Sequence, residues 1–168
     1  MGGLWLLRRP LALLLGLKPY LVCTPAGVPI LWALADPRIG EREVPAAMLE
    51  VEVEVTAEHG GIPLICDKGL AGRDFETLLG EYGITIPRPS RKDERARHGE
   101  PMLKKVRHLI ESVNDTLKGR LDLEQQGGRS AEDVRVRLAQ RVLAMAAAIW
   151  HNHATNAPIT QSLIAYDH

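Results

Sequence analysis

Between Tyr20 and Leu34 two apolar runs, Tyr20 to Thr24 and Val28 to Leu34, flank Pro25-Ala26-Gly27. Gly27 supplies the left-handed backbone that a tight turn needs, and the flanking runs are rich in residues that suit a pleated surface. The segment therefore predicts a β-hairpin. Asp36-Pro37 ends it, because a residue before proline avoids the helical region. A hairpin this apolar needs cover on its faces, so the segments downstream of Pro37 decide the fold class.

Those segments alternate between short apolar runs and amphipathic stretches. Glu41 to His59 is ambiguous: Ala46-Ala47-Met48-Leu49 favours helix, whereas Val51-Glu52-Val53-Glu54-Val55 alternates with period two. We read it as a helix stopped by Gly60-Gly61, since a crossover helix is expected before the next strand. Ile62 to Cys66 reads as a buried strand. Arg73 to Tyr82 reads as a helix with Phe75, Leu78, Leu79 and Tyr82 on one face, stopped by Gly83. Ile84 to Ile86 is a further short strand, and 87–100 a polar, basic loop. Pro101 to Lys118 is helical by the spacing of Leu103, Val106, Ile110, Val113 and Leu117. A last helix begins at the capping residue Ser130 and runs to about Trp150. The order predicts an α/β domain with a mixed sheet.

Chain length, 168 residues, suits one domain with a real core, and 45% hydrophobic against 25% charged residues is ordinary for a globular protein. Formal net charge is zero, which argues against a generally basic nucleic-acid binder, but the charge is unevenly spread. Basic residues gather at Arg88, Arg91, Lys92, Arg95, Arg97, Lys104, Lys105 and Arg107, and acidic ones between Glu41 and Glu58. Cys23 and Cys66 show no paired-ligand spacing and read as small core residues. Arg8-Arg9 before Leu11 to Leu17 mimics a signal peptide. The apolar run is short, however, and Lys18-Pro19-Tyr20 stands where a cleavage site is expected. It is also too short to span a membrane.

Two places invite chemistry. Asp67-Lys68-Gly69 directly follows the buried run 62–66, and ligand sites in open α/β sheets gather at the carboxyl ends of strands. A turn or helix-capping aspartate is the alternative there. Arg107, Glu111 and Lys118 are spaced by four and seven residues, near one face of a helix. Bases flanking a carboxylate suit a phosphodiester site, although a solvated ion-pair face has the same spacing. His151-Asn152-His153 reads as a polar helix end. The chain holds no Walker A loop, serine triad pattern or dinucleotide fingerprint.

Asp67-Lys68-Gly69 resembles the D-x-G motif of bacterial insertion-sequence DDE transposases. Lys104, Arg107, Glu111 and Lys118 resemble that family's Y-(2)-R-(3)-E-(6)-K signature, with lysine at the tyrosine position and Leu70 in place of the frequent aromatic after D-x-G. The resemblance extends to the segment Gly16 to Pro29, to Ile39-Gly40-Glu41-Arg42-Glu43-Val44 and to Arg88-Pro89-Ser90-Arg91-Lys92. It implies an RNase H-like mixed sheet flanked by helices, spanning residues 16–153. On this resemblance residues 1–15 are expected to form a non-matching remnant and 154–168 a tail, with the family's upstream DNA-binding segment expected to be missing.

The resemblance implies that Asp67 and Glu111 are the second and third catalytic carboxylates. They would share two Mg²⁺ or Mn²⁺ ions. Arg88, Arg91, Lys92, Lys104, Arg107 and Lys118 would contact the phosphates of double-stranded DNA at element ends and target. A homodimer or the full-length transposase is the expected protein partner, with no membrane and a cytoplasmic, nucleoid-associated location. The family's first aspartate lies on the strand before the hairpin. Residues 1–35 contain no Asp or Glu, so the first strand is expected to be missing or degenerate, with an unpaired edge left behind. The implied activity is DNA cleavage and strand transfer, lost in this chain by itself. A non-catalytic DNA-binding or dimerising remnant is the alternative, and a small secreted protein a third.

Overall fold

The computed structural model describes residues 5–8, 15–52, 61–66, 70, 72–87, 103, 116–122 and 127–157. The chain is mixed α/β. Strands β1 (Trp5–Arg8), β2 (Lys18–Cys23), β3 (Pro29–Ala35) and β4 (Leu64–Ile65) form one sheet in the order β3-β2-β1-β4. The helices bounded within the described residues are α1 (Glu43–Val51), α2 (Arg73–Glu81) and α3 (Ala131–Ala154), with a π-helical turn at Thr116–Arg120. The arrangement is consistent, at the level of its layers, with an RNase H-like fold.

The hairpin forms as its turn chemistry dictates. Gly27 takes φ +82°, its N–H donates to the Thr24 carbonyl at 2.9 Å, and the Val28 N–H donates to Thr24 Oγ1 at 3.2 Å. Both strands are shifted toward the open end of the hairpin relative to the apolar runs, pairing Lys18 with Ala35 there. Beyond it, the Arg38 N–H donates to Asp36 Oδ1 at 2.8 Å, and this bond holds the Asp36 carboxyl below the usual carboxylate range.

The first strand is present, though short. Trp5–Arg8 lies at the centre of the sheet, antiparallel to β2 and parallel to β4. Residues 5–8 thus join the sheet, and no bare edge is left between β2 and β4. Leu6 and Leu7 are both 1% exposed, so the run reads as a strand covered on both faces. Its degeneracy is chemical: four residues, none acidic. The basic-then-apolar look of the amino terminus concealed a segment too short to show a period.

Alternation along β2 divides the interior in two. Tyr20 and Val22 face one layer, packed with Leu7, Leu31, Leu64, α1 (Val44, Met48, Leu49) and α2 (Phe75, Leu79). Leu21 and Cys23 face the other, packed with Leu117 and with Val134, Leu138, Val142 and Met145 of α3. That is the period-two rule applied to a strand with helices on both sides.

Several expected boundaries move. The first helix covers Glu43–Val51 only, and Glu52 leaves helical geometry at φ −100°, ψ 52°. It thus ends ahead of Gly60-Gly61, and the alternating Val53-Glu54-Val55 lies outside the described residues. The run 62–66 pairs as a strand over two residues only, Leu64–Ile65. Beside it Ile84 and Ile86 are buried around an exposed Thr85, whose carbonyl accepts from the Leu64 N–H at 2.7 Å. Gly83, at φ +69°, stops α2 as expected. The last helix continues four residues beyond Trp150 to Ala154, so the expected tail boundary falls at the end of a helix.

Ser130 caps α3 through a capping box: Asp133 N–H donates to Ser130 Oγ at 3.1 Å, and Ser130 N–H donates to Asp133 Oδ2 at 3.0 Å. These bonds hold the Asp133 carboxyl below its ordinary value, the Ser130 hydroxyl being the largest cause. Ser130→Ala should lower stability by about 1 kcal/mol in urea unfolding at neutral pH. Because the folded-state pKa is depressed, the Asp133 contribution is complete above the unfolded-state value. It fades as pH falls through the lower folded value, so the wild-type and variant curves should converge in acid.

Tyr20 is buried, and its hydroxyl has no hydrogen-bond partner among the described residues. Burial, then the nearby Glu41 carboxylate, push the phenol up. Tyr20→Phe should raise stability by about 1 kcal/mol in thermal melts, because a stranded hydroxyl is removed at constant shape. A phenol raised on folding stabilises fully below its unfolded value and loses that contribution as pH rises through the folded one. The variant should therefore lose less stability than wild type above about pH 10.

Candidate functional site

Of the residues singled out for chemistry, Asp67, Glu111, Arg88, Arg91, Lys92, Lys104 and Arg107 lie outside the described residues. Lys118 is described in its backbone only. The structure instead defines the surroundings into which those segments lead.

Strand β4 delivers the chain to Cys66, the residue that precedes Asp67-Lys68-Gly69 in the sequence. Beside β4 runs β1, parallel and in register, Trp5 opposite Leu64 and Leu6 opposite Ile65. The carboxyl ends of these two parallel strands thus lie next to one another, the kind of place where open α/β sheets hold their ligands. β1 contributes Trp-Leu-Leu-Arg to this end and no carboxylate. Among the described residues there is no group of three or more His, Cys, Asp or Glu able to hold a metal ion.

Two arginines that the sequence did not single out for a role tie these segments to the frame. Arg42, the residue before α1, donates from Nε to the Leu70 carbonyl at 3.1 Å. Its guanidinium also covers Gly72, where an added Cβ would come within 2.8 Å of Arg42 Cζ. The chain that leaves Asp67-Lys68-Gly69 is thereby fastened to the start of α1. Leu70, 1% exposed, completes the anchor on its apolar side.

The second clamp is Arg141 of α3. Its Nε donates to the Leu121 carbonyl at 2.7 Å and its Nη2 to the Asp122 carbonyl at 3.4 Å, where Asp122 sits at φ +46°. These carbonyls close the π-helical turn that contains Lys118. The helix expected to reach Lys118 is therefore not α-helical at its end, since the Leu121 N–H donates to the Thr116 carbonyl, five residues back, at 3.0 Å. The four-and-seven spacing of Arg107, Glu111 and Lys118 presumes an α-helix throughout and loses its force over the last turn. Leu117 is buried against α3 and fixes the turn in place.

An open apolar cleft of about 430 Å³ lies between β3 and α1, bordered by Ile30, Trp32, Val44, Met48, Val51 and Glu52. Binding sites for small molecules combine apolar walls with several convergent polar groups, and among the described residues of this lining Glu52 is the one charged side chain. No known family matches the chain by its sequence profile, and no curated protein matches it.

Arg42→Met keeps the aliphatic stem and removes the bond to Leu70. It should lower stability by about 1–2 kcal/mol in urea unfolding. It should also raise hydrogen exchange at Leu70 and Gly72 above that of α3. Equal exchange in variant and wild type would show that the guanidinium does not hold the segment.

Proposed function

We propose that this chain is the carboxyl-terminal part of a DDE-type insertion-sequence transposase, and that by itself it binds DNA without cutting it. The observation that carries the reading is the sheet. β1 directly precedes the hairpin, as the strand bearing the family's first aspartate does, and it runs parallel beside β4, the strand that leads into Asp67-Lys68-Gly69. The resemblance assigns Asp67 and Glu111 as the second and third metal-binding carboxylates, and Mg²⁺ or Mn²⁺ bound by a complete set would activate the attacking oxygen and stabilise the leaving one.

The donor set does not fit that pair of ions. Where a carboxylate is required, β1 presents Leu6 and Leu7, both buried, and ends in Arg8. An arginine is a fixed cation and cannot ligate a metal. No cleavage step can be derived from the residues present.

What remains is phosphate binding. Arg88, Arg91, Lys92, Lys104, Arg107 and Lys118 belong to a basic run in a chain whose formal net charge is zero. Such a set holds a DNA backbone by charge and hydrogen bonds rather than by base sequence. The same residues serve a remnant that occupies element ends without processing them, a reading favoured by the missing carboxylate. On either reading the chain works in the cytoplasm at the nucleoid, and no helix among the described residues is long and apolar enough to cross a membrane.

The test is a duplex carrying an element end, incubated with purified chain and Mg²⁺ or Mn²⁺, with binding measured in parallel. The expected result is binding without strand cleavage. Affinity should fall about a thousandfold between roughly 50 and 200 mM salt, as six phosphate contacts require. Replacing Arg88, Arg91 and Lys92 by Ala should flatten that salt dependence. Robust metal-dependent cutting would overturn the inactive assignment, and no binding even at low salt would overturn the transposase reading as a whole.

A further inference from the structure

Helix α3 is apolar on two faces. One carries Leu138, Val142 and Met145 into the core against the sheet. The opposite face exposes Val136, Leu143 and Trp150, at 48, 70 and 71% of their surfaces. These three are seven residues apart. Between and beyond them, at alternating steps of four and three, stand Gln140, Ala147 and Ala154, all exposed. A large residue at one heptad position and a small or slender one at the other, sustained from Val136 to Ala154 of a 24-residue helix, is the pattern of a helix–helix seam. It is not the pattern of a solvated face, which would place charges there.

We propose that this face pairs with the same face of a second copy, as an antiparallel helix pair. Size alternation selects the partner and its direction. In a parallel pair like meets like: Trp150 would stand against Trp150, and Ala147 against Ala147 would leave a void. In an antiparallel pair each large residue meets a small one. Leu143 lies over Ala147 of the other copy, Trp150 over Gln140 and Val136 over Ala154, and the contact repeats about the two-fold axis. The helix dipoles then oppose, and the acidic first turn of each helix (Glu132, Asp133) comes within about one to two turns of the other's His151 and His153.

The area is sufficient. Val136, Leu143 and Trp150 together expose roughly 300–400 Å² of mostly apolar surface, as much as the largest patch that monomers ordinarily leave in water. With their flanking residues along a helix about 36 Å long, two copies would bury on the order of 1,200 Å² in total, the lower limit for a stable specific dimer. Association through this face stands whether or not the chain acts on DNA.

The test uses the full chain in sedimentation equilibrium at tens of micromolar. Wild type should be a dimer. Leu143→Glu should raise the dissociation constant at least tenfold while leaving the circular dichroism spectrum unchanged, since Leu143 faces water in the monomer. Direction is read by oxidation of cysteine variants. Val136→Cys together with Ala154→Cys in one chain should form covalent dimers, while Val136→Cys alone should not. In the antiparallel register two copies of residue 136 lie roughly 27 Å apart. A monomeric wild type, a dimer indifferent to Leu143→Glu, or efficient self-linking of Val136→Cys would each overturn the proposal; the last would show a parallel pair, and the first two that this face does not pair with itself.

Discussion

The ladder that β1 makes with its two neighbours is the constraint on which the rest of this fold depends. Four residues join a hairpin on one side to β4 and the Ile84–Ile86 run on the other, antiparallel to the first and parallel to the second. Without that strand the hairpin and the α2 region would share only side-chain contacts. With it, Leu6 and Leu7 enter the interior from a single backbone, each covered almost completely. The same strand bears on the chemistry: its residues, Trp-Leu-Leu-Arg, are those of a core strand and include no carboxylate.

Much of this was legible from local pattern. The hairpin could be read because Gly27 and the Asp36-Pro37 stop carry backbone preferences that no neighbour overrides. α2 could be read from Phe75 and Leu79, and the start of α3 from Ser130 and Asp133, for the same reason. β1 could not. A four-residue strand covered on both faces has no period to detect, and Arg8-Arg9 followed by leucines imitates a different kind of segment. The end of α1 was obscured by Val51-Glu52-Val53, where helical and extended patterns overlap.

The candidate site rests on a different footing. Asp67, Glu111 and the basic residues 88–107 stand on likeness to a family and on spacing, and they lie outside the described residues. Arg42 and Arg141 show what such reasoning misses. Each bonds carbonyl oxygens far along the chain, 28 residues away for Arg42 and 20 for the nearer Arg141 contact, and carbonyls leave no mark in a sequence. The π-helical turn around Lys118 is similar: it depends on Leu117 packing against α3 and on Arg141 closing the turn, not on a residue type that announces it.

The parallel pairing of β1 with β4 also has a consequence for how the chain acquires its shape. The hairpin closes over a few residues, whereas Trp5 and Leu64 must find one another across the intervening hairpin and α1. The entropy of closing that long loop favours late formation of the parallel ladder, after the antiparallel part is in place. On a ribosome, where Leu64 emerges long after Cys23, the central strand would spend an interval with one neighbour only, and its other edge would stay open until the Asp67 end of the domain had been made.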